Sequence, residues 1–214
     1  MADIFKEVDE ELRRDNLAKL WKKYGRAAIG LALAIVLAVA GVQGWRAYDL
    51  DRRGTLSDRY GAALDLAQGG DTAAGLNGLI DLSEPDAGGY AGLAAFEEAR
   101  LRVASGDTQG AIRVWDQIAA DSGLGQGFRN VAAVLSVMHQ IDSGDATVLR
   151  GRLEPLAGDG APFRATAREL LALIALRQGD RAGARELYTR IADDREAPSG
   201  LRARAAQMLA ALKD

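Results

Sequence analysis

The sequence predicts an all-α chain, with one N-terminal transmembrane helix followed by a short superhelix of helix–turn–helix units. Three observations carry this. Ala27 to Trp45 is a run of 19 residues without a charged side chain. Behind it, glycine–aspartate pairs recur at intervals of 35 to 38 residues. Only four prolines interrupt the chain, and β-branched residues scarcely alternate, which disfavours strands.

The apolar run, AAIGLALAIVLAVAGVQGW, has Gln43 as its sole amide. At a rise of about 1.5 Å per residue it reaches roughly 28 Å, close to one hydrocarbon core. A bilayer offers no water to backbone amides, so such a run spans as a helix. Tyr24 precedes it, and Trp45 and Tyr48 close it, where amphipathic rings favour the headgroup level. A cleaved signal peptide is the competing reading, because Ala38-Val39-Ala40 forms a small-residue cleavage pattern. The patterned segment before the run and its continuation to Trp45 favour an uncleaved signal-anchor.

Orientation follows from the basic residues. Arg13, Arg14, Lys19, Lys22, Lys23 and Arg26 precede the span, whereas Arg46, Arg52, Arg53 and Arg59 follow it. The excess places the N-terminus in the cytoplasm, with the inverse topology as the alternative. The expected organisation is a cytoplasmic tail (1–26), the transmembrane helix (27–45), a charged connecting helix (46–59) and a repeat domain (60–214).

Composition removes several function classes. The 214 residues contain no cysteine, which excludes disulfides, thiol nucleophiles and cysteine metal sites. The net charge is −3, and the part from Arg46 onward carries 20 basic against 24 acidic residues. That is no footprint for nucleic acid. Every lysine but Lys213 lies in the first 23 residues, and the arginine and alanine richness behind them reads as composition bias.

In the tail, Ile4, Phe5, Val8 and Leu12 stripe one helix face. Asp15-Asn16 is expected to cap a second short helix leading into Trp21. A solvated helix running into the span and a partner-docking helix both fit that pattern.

The repeat begins after Arg59. Gly69, Gly106, Gly144 and Gly179 are each followed by Asp, directly or after Gly70. Glycine tolerates the left-handed conformation that ends a helix, and Asp107, Asp145 and Asp180 then accept from the free amides of the next one. Upstream lie Ala62, Leu64, Leu66; Ala99, Leu101, Val103; Val137, His139, Ile141; and Ala172, Ile174, Leu176. Asp107 is followed by Ala111, Trp115 and Ile118, and Asp180 by Ala184, Tyr188 and Ile191. A small residue four after the Asp lets two helices approach, and the aromatic four later wedges against the neighbouring pair. Pro85, Pro162 and Pro198 fall near unit ends. The unit is a tetratricopeptide-type pattern of about 34 residues.

The units differ in quality. The third has Leu149 where a small residue is expected, and Glu154-Pro155 breaks its second helix early. The first, with Gly69, Gly70, Gly75 and Gly78, reads as loose. Ser199 to Leu212 reads as the capping helix that stacked repeats need.

Catalysis lacks a convergent polar set. His139, the only histidine, aligns with core positions and reads as half-buried and hydrogen-bonded. Glu97-Glu98, Asp193-Asp194 and Asp121 read as solvated charges, and no glycine cluster continues into a phosphate loop. The expectation is a binding protein, with no enzyme activity, cofactor or metal. Its groove is lined by the first helix of each pair, where Arg100, Arg102, Arg129, Asn130 and Arg168 are candidate contacts for carboxylates or carbonyls. Tyr90, Phe96 and Phe128 read as packing residues at repeat junctions.

The order of parts resembles the ancillary SecYEG translocon subunit (YfgM-like) family of Gram-negative inner membranes. The resemblance rests on the basic patch at Lys22-Lys23, the span closing in GWRAY at 44–48, GYAGLAAFEEARLRVASGD at 89–107 and GDRAGARELY at 179–188. It implies an inner-membrane protein facing the periplasm. The implied partners are the SecYEG translocon, a membrane-anchored periplasmic chaperone and exported polypeptides. It implies no catalytic residue. A scaffold of another envelope complex, for division or outer-membrane assembly, is the alternative.

Overall fold

The computed structural model describes residues 2–84 and 87–212, and within the first helix the side chains of 21–26, 29–31 and 33 onward. Pro85 and the tail stripe at Ile4, Phe5, Val8 and Leu12 therefore lie outside the described side chains. All regular structure among the described residues is helical, without a strand. The chain divides into two units, Met1–Thr55 and Leu56–Asp214.

The first unit is the N-terminal part of α1 (Ala2–Gln68). The expected break at Asp15-Asn16 does not occur: the backbone is helical through both residues. No glycine or proline interrupts residues 2–24, and Asp and Asn cost a helix interior only about 0.7 kcal/mol each. The helix from Trp21 onward is long and apolar enough to cross a membrane, with a best-window mean hydropathy of 2.2. Leu31, Leu33, Val36 and Leu37 are 58–71% exposed. At the ends of the apolar stretch the Lys23 ammonium lies 5.2 Å over the Tyr24 ring, and the Trp45 and Tyr48 rings sit 6.2 Å apart.

The second unit stacks helix pairs. The end of α1 pairs with α2 (Thr72–Leu82), α3 (Gly89–Ala104) with α4 (Thr108–Ala120), and α5 (Gln126–Gln140) with α6 (Ala146–Leu153). Next come α7 (Arg164–Arg177) and α8 (Arg181–Asp193), and α9 (Ser199–Ala211) covers the end. The aspartates cap as their chemistry requires. Asp71 accepts from Ala74 N at 3.0 Å, Asp107 from Gly110 N at 2.8 Å, Asp145 from Thr147 N at 2.9 Å, and Asp180 from Gly183 N at 2.8 Å.

Counted from those aspartates, the second helices share one register. The residues four, eight and eleven later are Gly75, Leu79, Leu82; Ala111, Trp115, Ile118; Leu149, Leu153, Leu156; and Ala184, Tyr188, Ile191, and all are buried. This register places the first unit one residue later than the sequence reading. Gly70 (φ +101°), not Gly69, takes the left-handed conformation that Gly106 (+88°) and Gly179 (+80°) take. Ala63 then stands where Ala99, Val137 and Ala172 stand, and is buried, whereas Ala62 and Leu66 are exposed. Gly144 is a second correction, because it does not adopt a positive φ. A Cβ there would meet Gln140 O at 3.0 Å and Leu149 Cδ1 at 3.1 Å, so Gly144 makes room for Leu149.

The first pair is close-packed, not loose. A Cβ on Gly75 would lie 2.7 Å from Ala63 O and from Ala67 Cβ, and one on Gly78 would lie 3.0 Å from Ala63 Cβ. These two glycines set how near α2 comes to α1. In the third pair α6 is only eight residues long and runs into a 3₁₀ turn at Glu154–Leu156, as Pro155 dictates.

Candidate protein-binding face

The first helices α3, α5 and α7 carry Arg100, Met138 and Leu173 at one register position, six residues before their turn glycines. Met138 and Leu173 are 42% and 37% exposed, and Leu93, about two turns before Arg100 on α3, is 43% exposed. Around the α3–α5 junction the Phe96 and Phe128 rings pack 6.0 Å apart, and Tyr60 of α1 and Tyr90 of α3 sit 5.9 Å apart between the first and second pairs. Phe128 keeps 40% of its surface exposed.

The five candidate polar contacts divide sharply. Arg100 donates to Glu97 at 2.7 Å and is largely exposed. Arg102 bridges Glu98 at 2.8 Å and the capping Asp107 at 2.9 Å. Arg129 donates to Gln126, whose amide donates to Asn130 at 2.6 Å. Arg168 does not belong to this face. It is buried, donating from Nε to Ala157 O at 2.9 Å and from Nη2 to Asp159 at 2.5 Å, with Nη1 3.9 Å from Asp194. Because α6 stops early, the loop after it folds back over α7, and Arg168 holds that loop.

Two acidic pairs also differ from their expected solvated state. Glu98 is buried against Arg102. Asp194 is nearly covered and accepts from Arg164 at 2.8 and 3.1 Å, while Arg164 also donates to Glu196 at 2.7 Å. His139 is half-buried as expected, but its contact is a stack on Trp115, with centroids 4.7 Å apart and planes 23° apart. The Trp115 Nε1 has no hydrogen-bond partner among the described residues.

Arginines also tie one repeat to the next, so their abundance is more than composition bias. Arg177 of α7 donates to Ile141 O at 2.6 Å and Gly144 O at 2.7 Å, satisfying one carbonyl at the end of α5 and one in the turn before α6. Arg152 of α6 donates to Asp116 of α4 at 2.7 Å, and the fully buried Ser136 of α5 donates to the same oxygen at 2.5 Å. Arg204 of α9 grips Glu169 of α7 at 2.9 and 3.0 Å. None of these ties is legible in the sequence, because each needs the facing helix to be placed first.

The ion pairs set an acid dependence. The Gly110 amide and then Arg102 hold the Asp107 carboxyl below its usual range, and Arg164 does the same for Asp194. A carboxylate with a lowered folded value contributes stability above its unfolded value, near pH 3.9, and loses it as pH falls through the folded one. Thermal stability should be level from pH 7 to about 5 and fall below about pH 4. Asp107→Asn with Asp194→Asn should lower the neutral-pH Tm and flatten the acid slope, measured by circular dichroism melts.

Paired helices with capped turns, a covered end and a shared first-helix face define a helical-repeat protein-interaction scaffold. A model of the tetratricopeptide repeat-like domain matches residues 18–213, and the chain belongs to that family. No curated protein matches the chain, and no solved structure does.

Proposed function

We propose that the chain is a membrane-anchored protein-binding adaptor at the Sec translocon that passes exported polypeptides to periplasmic chaperones. One observation supports the anchor above others: the large apolar side chains of α1 between Ile29 and Val42 stand more than half exposed, a surface water disfavours and a bilayer accepts. The excess of basic residues before the span supports a cytoplasmic N-terminus, and the sequence resemblance supports a periplasmic repeat domain. The translocon assignment draws on the sequence resemblance at 44–48, 89–107 and 179–188. Anchoring would hold the binding face beside the exit site and raise its effective concentration for an emerging chain.

The test is crosslinking of the full-length protein in its native membrane, followed by identification of the adducts. Translocon subunits together with exported chains are expected. A single folded envelope complex without the translocon would instead assign a scaffold role. A reporter fused after the last residue that reads cytoplasmic would overturn the topology.

A further inference from the structure

We infer that the first-helix face takes uncharged, apolar polypeptide segments and not acidic tails, an inference that rests on the protein-binding reading above. The candidate arginines invite the opposite expectation, since an arginine fork is made for a carboxylate. The pairing of charges decides against it. Arg100 is held by Glu97 and Arg102 by Glu98 and Asp107, while Arg168 is buried under its own loop. Arg177 spends two donors on backbone carbonyls of the preceding turn, and Arg204 is bound by both oxygens of Glu169. At Arg100, Arg102 and Arg204 an acidic ligand would have to displace a carboxylate already in place, exchanging one ion pair for another with little net gain.

Arg129 apart, what the candidate face leaves unpaired is apolar. Leu93, Phe128, Met138 and Leu173 stand out from successive first helices, on which Arg100, Arg102 and Arg168 are each paired with a carboxylate of the chain itself. A neutral segment complements that setting without leaving a buried charge behind. Methionine adds a flexible, polarisable surface that adapts to side chains of varied shape. The pattern suits a chain recognised by its apolarity, without a fixed motif. Arg129 is the member of the candidate set bound to a neutral amide, with its Nε lacking a partner among the described residues. It is therefore the residue through which an acidic ligand would act.

The experiment uses the full-length protein in lipid nanodiscs, with empty nanodiscs as the blank. Two fluorescent peptides are titrated: a neutral one of Leu, Ala, Ser and Gln, and the same peptide ending in aspartates. The neutral peptide should bind at least as well, and raising salt to about 1 M should leave its affinity within about twofold. Met138→Ser with Leu173→Ser should weaken it about tenfold or more, from lost apolar contact, whereas Arg129→Ala should change it by less than about twofold. Both serine substitutions are at exposed positions, and an unchanged circular dichroism spectrum would confirm folding. Tighter, salt-sensitive binding of the acidic peptide that is lost in Arg129→Ala would overturn the inference and leave the protein-binding reading intact. Binding of neither peptide above the blank would remove both.

Discussion

Replacing Tyr188 with alanine is expected to destabilise the last repeat by about 3–5 kcal/mol, the range for truncating a large buried ring. Tyr188 is 1% exposed and lies in a cluster with Ala172, Ala175, Ala184, Ile191 and Ala205. Four of the five buried residues clustered with it are alanines, too short to fill the void, and the longer Leu201, Met208 and Leu209 of α9 pack from the cluster's edge. Burial, and then the charge of Glu169, pushes the phenol pKa up, consistent with a dry site. The same cluster seats α9, so the cavity should loosen the helix that covers the end of the stack. In a repeat array the damage stays near the altered unit. Limited proteolysis should therefore cut within 199–211 before any other helix, and the Tm should fall by about 10 °C or more. A variant that melts with the parent and resists cleavage there would contradict the packing.

The second large effect is expected at Gly75→Val. Any Cβ at this position collides with backbone and Cβ atoms of α1, at 2.7 Å from Ala63 O and Ala67 Cβ and 2.8 Å from Ala67 N. Rigid helix atoms cannot step aside as a flexible side chain does. Overpacking of this kind costs about 1–3 kcal/mol, against a helix-propensity gain from losing glycine of well under 1 kcal/mol. Gly61→Ala is the control. Gly61 is also helical, but a Cβ there meets nothing within 4 Å, so this change should stabilise by roughly 0.5–1 kcal/mol. Opposite signs in a pair of denaturant titrations would establish that α2 rides on α1 through Gly75.

The comparison of these two glycines shows what could be read from sequence. The second-helix register is local: Ala111, Trp115 and Ile118, then Ala184, Tyr188 and Ile191, follow their capping aspartates at helical spacing and are buried. The short α6 was equally legible, because Pro155 forbids its continuation whatever packs nearby. In sequence Gly75 signals looseness as readily as close approach, and only the partner helix distinguishes the two. The Gly69-Gly70-Asp71 run offered two candidates for the left-handed residue, and the burial of Ala63 selects Gly70. Polar residues were the least legible. Arg168 turned inward because the loop after α6 supplied Ala157 O and Asp159, and Glu98 could be buried because Arg102 lay one turn on. The partners of Arg168 are not visible in a helical periodicity, whereas Arg102 stands at the i, i+4 spacing from Glu98 and only the burial of that pair is not.

The central claim is that the first-helix face of a membrane-anchored repeat stack is where the protein meets its partners. The most direct measurement places a photo-reactive residue at Leu173, and separately at Arg113, an exposed position on the second helix α4. Each full-length variant is illuminated in its native membrane. Adducts from position 173 with polypeptides in transit, and few from position 113, are the expected result. Equal adducts from both positions, or adducts from position 113 alone, would contradict the account.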